Sequence, residues 1–161
     1  MGKNNAELNF RIVLYEPEIP NNTGNIGRLC VGSNSELHII KPMRFLLTDK
    51  HLKRAGLDYW DKLKLVIHND YQEFLTGKSE NRIFYFSTKG EKLFSEAEYQ
   101  KGDFFMFGPE TRGIPDEILQ GNHERVLKIP MSSKIRSINL ANSVAVVLYE
   151  ALKQTGFQGM K

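Results

Sequence analysis

Three short stretches of this chain carry residues whose types and spacing suit them to chemistry. In Phe104-Phe105-Met106-Phe107-Gly108-Pro109-Glu110-Thr111-Arg112-Gly113-Ile114-Pro115 an apolar strand ends at a Gly-Pro turn, an acid and a base follow, and a helix restarts at a proline. Polar groups thus gather at the carboxyl end of a buried strand, where open α/β sheets bind ligands. Between Glu16 and Cys30 two prolines stiffen a loop, Asn21 or Asn22 is placed to cap a helix, and Arg28 follows Asn22 by six residues. That is nearly two turns, so both side chains are expected on roughly the same side. Between Ile129 and Val144 a polar loop runs into a helix whose first turns hold Ser137, Asn139, Asn142 and Ser143. One cap suffices for a helix, so the surplus hydroxyls and amides point to a hydrogen-bonded ligand.

The residue types narrow the chemistry. Gly108 and Gly113 have the spacing of a phosphate-binding loop, but Ile114 and Pro115 stand where lysine and a hydroxyl residue are required, and no G-x-G-x-x-G occurs. Gly24-Asn25-Ile26-Gly27 has the form of a KH-type GXXG, yet it falls within a strand-to-helix crossover. None of His38, His51, His68 and His123 lies in the three stretches, so no ordinary general base is visible. Cys30 is the only cysteine, which excludes an internal disulfide and a Cys-rich metal framework. It reads as a small buried hydrophobe, and no metal site is expected.

The elements that must position these residues follow from hydrophobic runs and caps. Strands are expected at Phe10 to Tyr15, Leu37 to Ile40, Leu63 to His68, Ile83 to Phe86, Phe104 to Phe107 and Val126 to Ile129, all fully buried. Helices are expected at Asn22 to Val31, Asp49 to Ala55, Tyr71 to Leu75 and Pro115 to Leu119. The longest runs from about Ser137 to Thr155, with Leu140, Val144, Val147, Leu148, Ala151 and Leu152 at helical spacing and Gly156 as its C′ residue. Alternation of this kind predicts an α/β fold with a mostly parallel six-stranded sheet flanked by helices. The 161 residues fit a single domain, 1–161, with a flexible N-terminal segment at 1–8. A net charge of +3, with 40% hydrophobic and 25% charged residues, is ordinary for a globular protein. The start lacks an apolar signal region and no stretch has the length of a membrane span, so a cytoplasmic protein without membrane partners is expected.

Together the three clusters resemble the SPOUT, or α/β-knot, RNA methyltransferases. They are most similar to the small branch that acts on the ribose 2′-hydroxyl at the tRNA wobble position. Leu14 to Arg28 resembles the first motif of that branch, Lys53-Arg54-Ala55-Gly56-Leu57-Asp58-Tyr59-Trp60 a further signature, and Phe107 to Pro115 and Ile129 to Tyr149 its second and third motifs. The resemblance covers nearly the whole chain. It implies a C-terminal trefoil knot, a rare exception to normal connection rules. It also implies S-adenosylmethionine as cofactor, a homodimer whose sites draw on both subunits, and methylation of cytidine or uridine 34 in a tRNA anticodon loop.

Carried over residue by residue, the resemblance places Phe86, Gly108, Ile129, Met131, Ser137 and Leu140 around the cofactor. Apolar side chains of this kind can sandwich an adenine while backbone groups and a hydroxyl orient it. It assigns the reaction to Arg28, Asn22, Glu110 and Asn139, with Ser137 beside them. A guanidinium has no lone pair to take a proton, so Arg28 is expected to hydrogen-bond the reacting oxygen or a nearby phosphate. Asn22 would orient Arg28 or the hydroxyl, and Glu110 would hold Arg28 or another basic partner in place; on the residues alone, Glu110 and Arg112 could equally pair at the surface. Lys53, Arg54, Lys134 and Arg136 are candidate phosphate contacts, and Tyr149 suits either RNA, a partner subunit or the core. Two other readings stay open: a related enzyme acting on a ribosomal RNA loop, and a noncatalytic RNA- or nucleotide-binding module.

Overall fold

The structure is a computed structural model and describes residues 7–47 and 59–161. Its strands are β1 (Arg11–Tyr15), β2 (Glu36–Ile40), β3 (Leu65–His68), β4 (Ile83–Phe86), β5 (Lys92–Leu93), β6 (Phe104–Phe107) and β7 (Val126–Lys128). They form one sheet in the order β3-β2-β1-β6-β4-β7-β5, and every neighbouring pair is parallel. The sheet has seven strands rather than the expected six. The extra one, β5, is two residues long and pairs through Lys92 and Leu93 with Leu127 and Lys128, too short and too polar to leave a periodic signal.

Among the described residues, four α-helices accompany the strands: α1 (Pro20–Gly32), α2 (Tyr71–Leu75), α3 (Asp116–Gln120) and α4 (Leu140–Gln154). The central strands are continuous apolar runs because both faces are covered. Their period of two divides them between two cores. Ile12, Leu14, Phe84, Phe86, Phe105 and Phe107 face one core with Ile26 and Cys30 of α1 and Val144, Val147, Leu148, Ala151 and Leu152 of α4. Val13, Ile83, Tyr85, Phe104 and Met106 face the other, with Phe74, Ile114 and Leu119. A fully buried leucine or phenylalanine in such a core contributes about 1.5–3 kcal/mol. Cys30 sits there at 0% exposure, and burial pushes its thiol pKa up.

Several boundaries differ from the sequence expectation. Strand β3 lies at the sheet edge, where Val66 and Ile67 are partly exposed, so not every strand is buried on both faces. Helix α1 begins at Pro20 after Ile19, which offers no side-chain cap, so Asn21 and Asn22 lie inside the first turn instead of capping it. The apparent KH motif is helical, and a Cβ on Gly27 would come within 3.2 Å of Leu63. Helix α4 begins three residues later than Ser137, capped by the Asn139 side chain, which accepts from the Asn142 amide at 3.2 Å. It ends as expected. Gly156 has φ +77°, and the Phe157 and Gly156 amides donate to the carbonyls of Leu152 and Lys153, a Schellman closure. The expected helix at Asp49 to Ala55 and residues 1–6 of the N-terminal segment lie outside the described residues. Glu7 is already tied down, with its carbonyl accepting from Asn34 Nδ2 at 3.1 Å.

Candidate active site

The sheet order reverses direction around β1 and β6, because the chain moves outward from β1 to β3 and then restarts at β4 on the far side of β6. Such a switch leaves a crevice at the carboxyl ends of the strands. The loops after β1, β4, β6 and β7 meet there and enclose a cleft of about 570 Å³, within the range of small-molecule sites. Phe86, Gly108, Ile129, Met131, Ser137 and Leu140 all line it, as do Asn22, Glu110 and Asn139. Phe107, Ile114 and Ile138 add further apolar surface, and Lys89, Arg112 and Arg136 bring positive charge to the same walls.

Arg28 is the exception among the expected residues: it does not line this cleft. It is exposed on α1, with its guanidinium carbon 5.8 Å from the centre of the Tyr59 ring, and the Tyr59 hydroxyl donates to the Gly24 carbonyl at 2.5 Å. The expectation of a shared side with Asn22 fails on helical geometry. Six residues at 3.6 per turn leave the two side chains roughly 120° apart. Asn22 is buried and faces the cleft while Arg28 faces out.

Glu110 is also placed differently from expectation. Its carboxylate accepts from the backbone amides of Glu18 at 2.8 Å and Ile19 at 3.0 Å, and from Asn22 Nδ2 at 3.3 Å. It therefore supplies, from another loop, the cap that Ile19 lacks, and a negative charge at a helix start is favourable. The pairing of Glu110 with Arg112 does not occur. Arg112 Nη2 instead donates to Glu16 Oε2 at 2.9 Å, and that carboxylate holds the guanidinium pKa above its usual value. Glu16 has φ +48°, a left-handed backbone that costs a non-glycine residue about 1 kcal/mol or more.

The amides form a chain from one loop to the next. Asn139 Nδ2 donates to Asn22 Oδ1 at 3.1 Å, and Ser143 Oγ returns to the Asn139 carbonyl at 3.1 Å. So part of the surplus of polar residues at the start of α4 is spent on joining α4 to α1. Residues that sequence reasoning missed complete the frame. Glu18 Oε1 accepts from Thr111 Oγ1 at 2.7 Å and from the Thr111 amide at 3.1 Å, and these bonds hold the Glu18 carboxyl below its ordinary pKa. Only the acidic character of Glu16-Pro17-Glu18 hinted at this.

The turn from Gly108 to Gly113 closes tightly on itself at the cleft wall. A Cβ on Gly108 would lie 2.2 Å from the Gly113 carbonyl carbon and from the Ile114 nitrogen, so no other residue fits. Gly113 adopts φ +70°, and its amide donates to the Pro109 carbonyl at 2.9 Å. Apolar walls beside the exposed Ser137 hydroxyl suit a flat heteroaromatic group carrying a polar chain, the chemistry of an adenosyl cofactor. Among the described residues no group of three or more His, Cys, Asp or Glu is arranged to hold a metal ion, and no helix is long and apolar enough to cross a membrane. Of the candidate phosphate contacts, Lys53 and Arg54 lie outside the described residues, while Lys134 and Arg136 are exposed on the loop after β7. Tyr149 is 44% exposed, with its ring 6.5 Å from that of Phe157, and so is not a core residue.

Comparison with known proteins agrees with this geometry. Residues 9–149 match the SpoU rRNA Methylase family. A tRNA (cytidine(34)-2'-O)-methyltransferase of Escherichia coli is 52% identical over 151 residues, covering 93% of this chain and 96% of that protein. A structure solved in work on the 2-OH methylation of C/U34 on tRNA superposes with a TM-score of 0.87 at 44% identity, covering 91% of this chain and 96% of that one. The SpoU methyltransferase AviRb from Streptomyces viridochromogenes, solved with AdoMet, shares the fold at a TM-score of 0.81 and 18% identity, covering 96% of this chain and 60% of that one. A cleft at the switch point of a parallel sheet, walled by three motifs distant in sequence, and a family match across most of the chain lead to one conclusion: this chain belongs to the SpoU methylase family, within the SPOUT class of RNA methyltransferases.

Proposed function

We propose that this chain methylates the ribose 2′-hydroxyl of cytidine or uridine at position 34 of tRNA, using S-adenosylmethionine, and that it works in the cytoplasm as a homodimer folded as one knotted domain. The observation that carries this reading is the cleft itself, where Asn22, Glu110, Ser137 and Asn139 meet Phe86, Gly108, Ile129, Met131 and Leu140. The near full-length similarity to the Escherichia coli enzyme supports the choice of substrate. The knot is supported by the family match and by the fold shared with the structure solved in work on the 2-OH methylation of C/U34 on tRNA.

In this reading Phe86, Ile129, Met131 and Leu140 hold the adenine end of the cofactor, and Ser137 with the backbone of the Gly108 turn orients it. The cofactor supplies an electrophilic methyl group on sulfonium. When bound, it would give that methyl to the ribose oxygen and leave as the neutral thioether, with the hydroxyl proton released to solvent. Alignment of the hydroxyl with the methyl carbon supplies much of the rate. Arg28 favours the developing alkoxide by a charge-assisted hydrogen bond without accepting the proton. Because Arg28 lies outside the cleft of its own chain, we read it as completing the cleft of a second copy. Lys134 and Arg136 then meet phosphates of a single-stranded loop, whose bases splay and whose 2′-hydroxyls mark it as RNA.

The test is mass mapping of ribose methylation in bulk tRNA incubated with the protein and labelled cofactor. Label at the wobble nucleotide is expected. Label confined to other nucleotides of tRNA, or absent altogether, would overturn the substrate reading.

A further inference from the structure

The loops after β1 and β6 grip each other reciprocally through neighbouring residues. Glu110 takes the backbone amides of Glu18 and Ile19, while Glu18 takes the backbone amide and the hydroxyl of the next residue, Thr111. Each carboxylate thus satisfies donors on the other loop. The two loops have different tasks in the reading above. One is the turn that shapes the cofactor cleft, and the other leads into α1, which carries Asn22 and Arg28.

Neither loop depends on the Glu18–Thr111 half of the interlock for its own shape, since Glu110 already caps the start of α1. The turn is closed internally by the Gly113 and Arg112 amides on the Pro109 carbonyl, at 2.9 and 3.3 Å, and by the contact of Gly108 with Gly113. Helix α1 is held by Ile26 and Cys30, both fully buried in the core. What the interlock adds is the register of one against the other. A displacement of about 1 Å between reacting groups is enough to cost on the order of a hundredfold in rate.

We infer that Glu18 is a positioning residue for methyl transfer: acting through Thr111, it sets α1 against the cofactor-facing turn, so its loss lowers turnover without emptying the cofactor site. This rests on the methyltransferase reading. Glu18 touches neither reacting group; its Oε1 accepts both hydrogen bonds, while its Oε2 makes only a 3.9 Å ion pair with the exposed Arg44, which contributes little, so an amide oxygen in its place serves as well.

The experiment compares wild type with Glu18→Ala, Glu18→Gln, Thr111→Val and the double variant Glu18→Ala/Thr111→Val. Turnover on tRNA is measured alongside S-adenosylmethionine affinity by calorimetry. Glu18→Ala is expected to lose about 10- to 100-fold in kcat with cofactor Kd within about threefold of wild type. Glu18→Gln should stay within about threefold of wild-type kcat, since it accepts both bonds. The double variant should be no worse than Glu18→Ala, because both changes cut one link. Wild-type turnover in Glu18→Ala, a Glu18→Gln as poor as the alanine variant, or a loss carried equally by cofactor affinity would overturn this role alone. A wild-type protein that binds the cofactor and methylates no RNA would overturn the methyltransferase reading, and this role with it.

Discussion

Two polar clusters lie within the sheet's surroundings, and they differ in what they open onto. At the strand ends, Glu110, Asn22 and Asn139 are joined by hydrogen bonds and line a cleft of about 570 Å³. On the face opposite α1 and α4, His38 Nδ1 lies 2.8 Å from His68 Nε2, and His38 Nε2 lies 2.6 Å from Glu36 Oε1. That second cluster looks more catalytic by residue type, since it contains two imidazoles and a carboxylate in a relay. Yet His38 and His68 are 4% and 7% exposed and are walled by Phe74 and Phe104, with the rings in edge contact. Neither lines the cleft. Hydrogen bonding and perturbed protonation mark structural clusters as well as functional ones; access to a cleft separates the two.

The largest effect that sharpens this contrast is expected at Arg28. Arg28→Ala should lower turnover by at least about a hundredfold, as loss of a charge-stabilising donor does, with cofactor affinity in calorimetry unchanged. Near-wild-type turnover of the folded variant would remove Arg28 from the mechanism. Next comes Gly108→Ala. Its Cβ would meet the Gly113 carbonyl carbon at 2.2 Å, so the turn must shift, and cofactor affinity should fall by about tenfold or more. Affinity equal to wild type would show that the turn does not shape the cofactor site.

The histidine cluster should answer to acid in stability, not in chemistry. Burial, opposed by Glu36 and aided by His68 and Lys78, lowers the His38 pKa to about 4, and burial also lowers that of His68, beside Lys78 and Glu73. The unfolded chain, with histidine pKa near 6.5, binds protons that the folded chain refuses. Stability from His38 is therefore full above about pH 6.5 and is lost as pH falls toward about 4. Denaturant midpoints between those values should drop for wild type and flatten for His38→Gln, whose kcat at neutral pH should stay within about twofold of wild type. A large loss of kcat in that variant would break the distinction between the clusters. The smallest effect is Ser137→Ala, expected to weaken cofactor binding about 2- to 10-fold, the worth of one hydrogen bond.

Much of this was legible in the chain. The apolar runs at Ile83–Phe86 and Phe104–Phe107 gave parallel strands because both faces are covered, and of the cofactor and reaction residues that the family resemblance implied, all except Arg28 line the cleft. Glu110 was visible as a site residue but not as the cap of α1, since its partners are backbone amides 92 and 91 residues away. Glu18 and Thr111 were missed for the same reason: a reciprocal grip between loops has no sequence period. Strand β5 was too short to register, and Val66 and Ile67 looked buried because an edge position depends on strand order, which composition does not encode.

The central claim is that these strand-end loops bring a methyl donor to one ribose oxygen. It is tested most directly with two anticodon stem-loops, identical except that one carries 2′-deoxyribose at the wobble position. Incubated with labelled S-adenosylmethionine, the ribose form should take up label at that nucleotide and the deoxy form none. Equal labelling of both, or labelling of neither by a protein that binds the cofactor, would contradict the account.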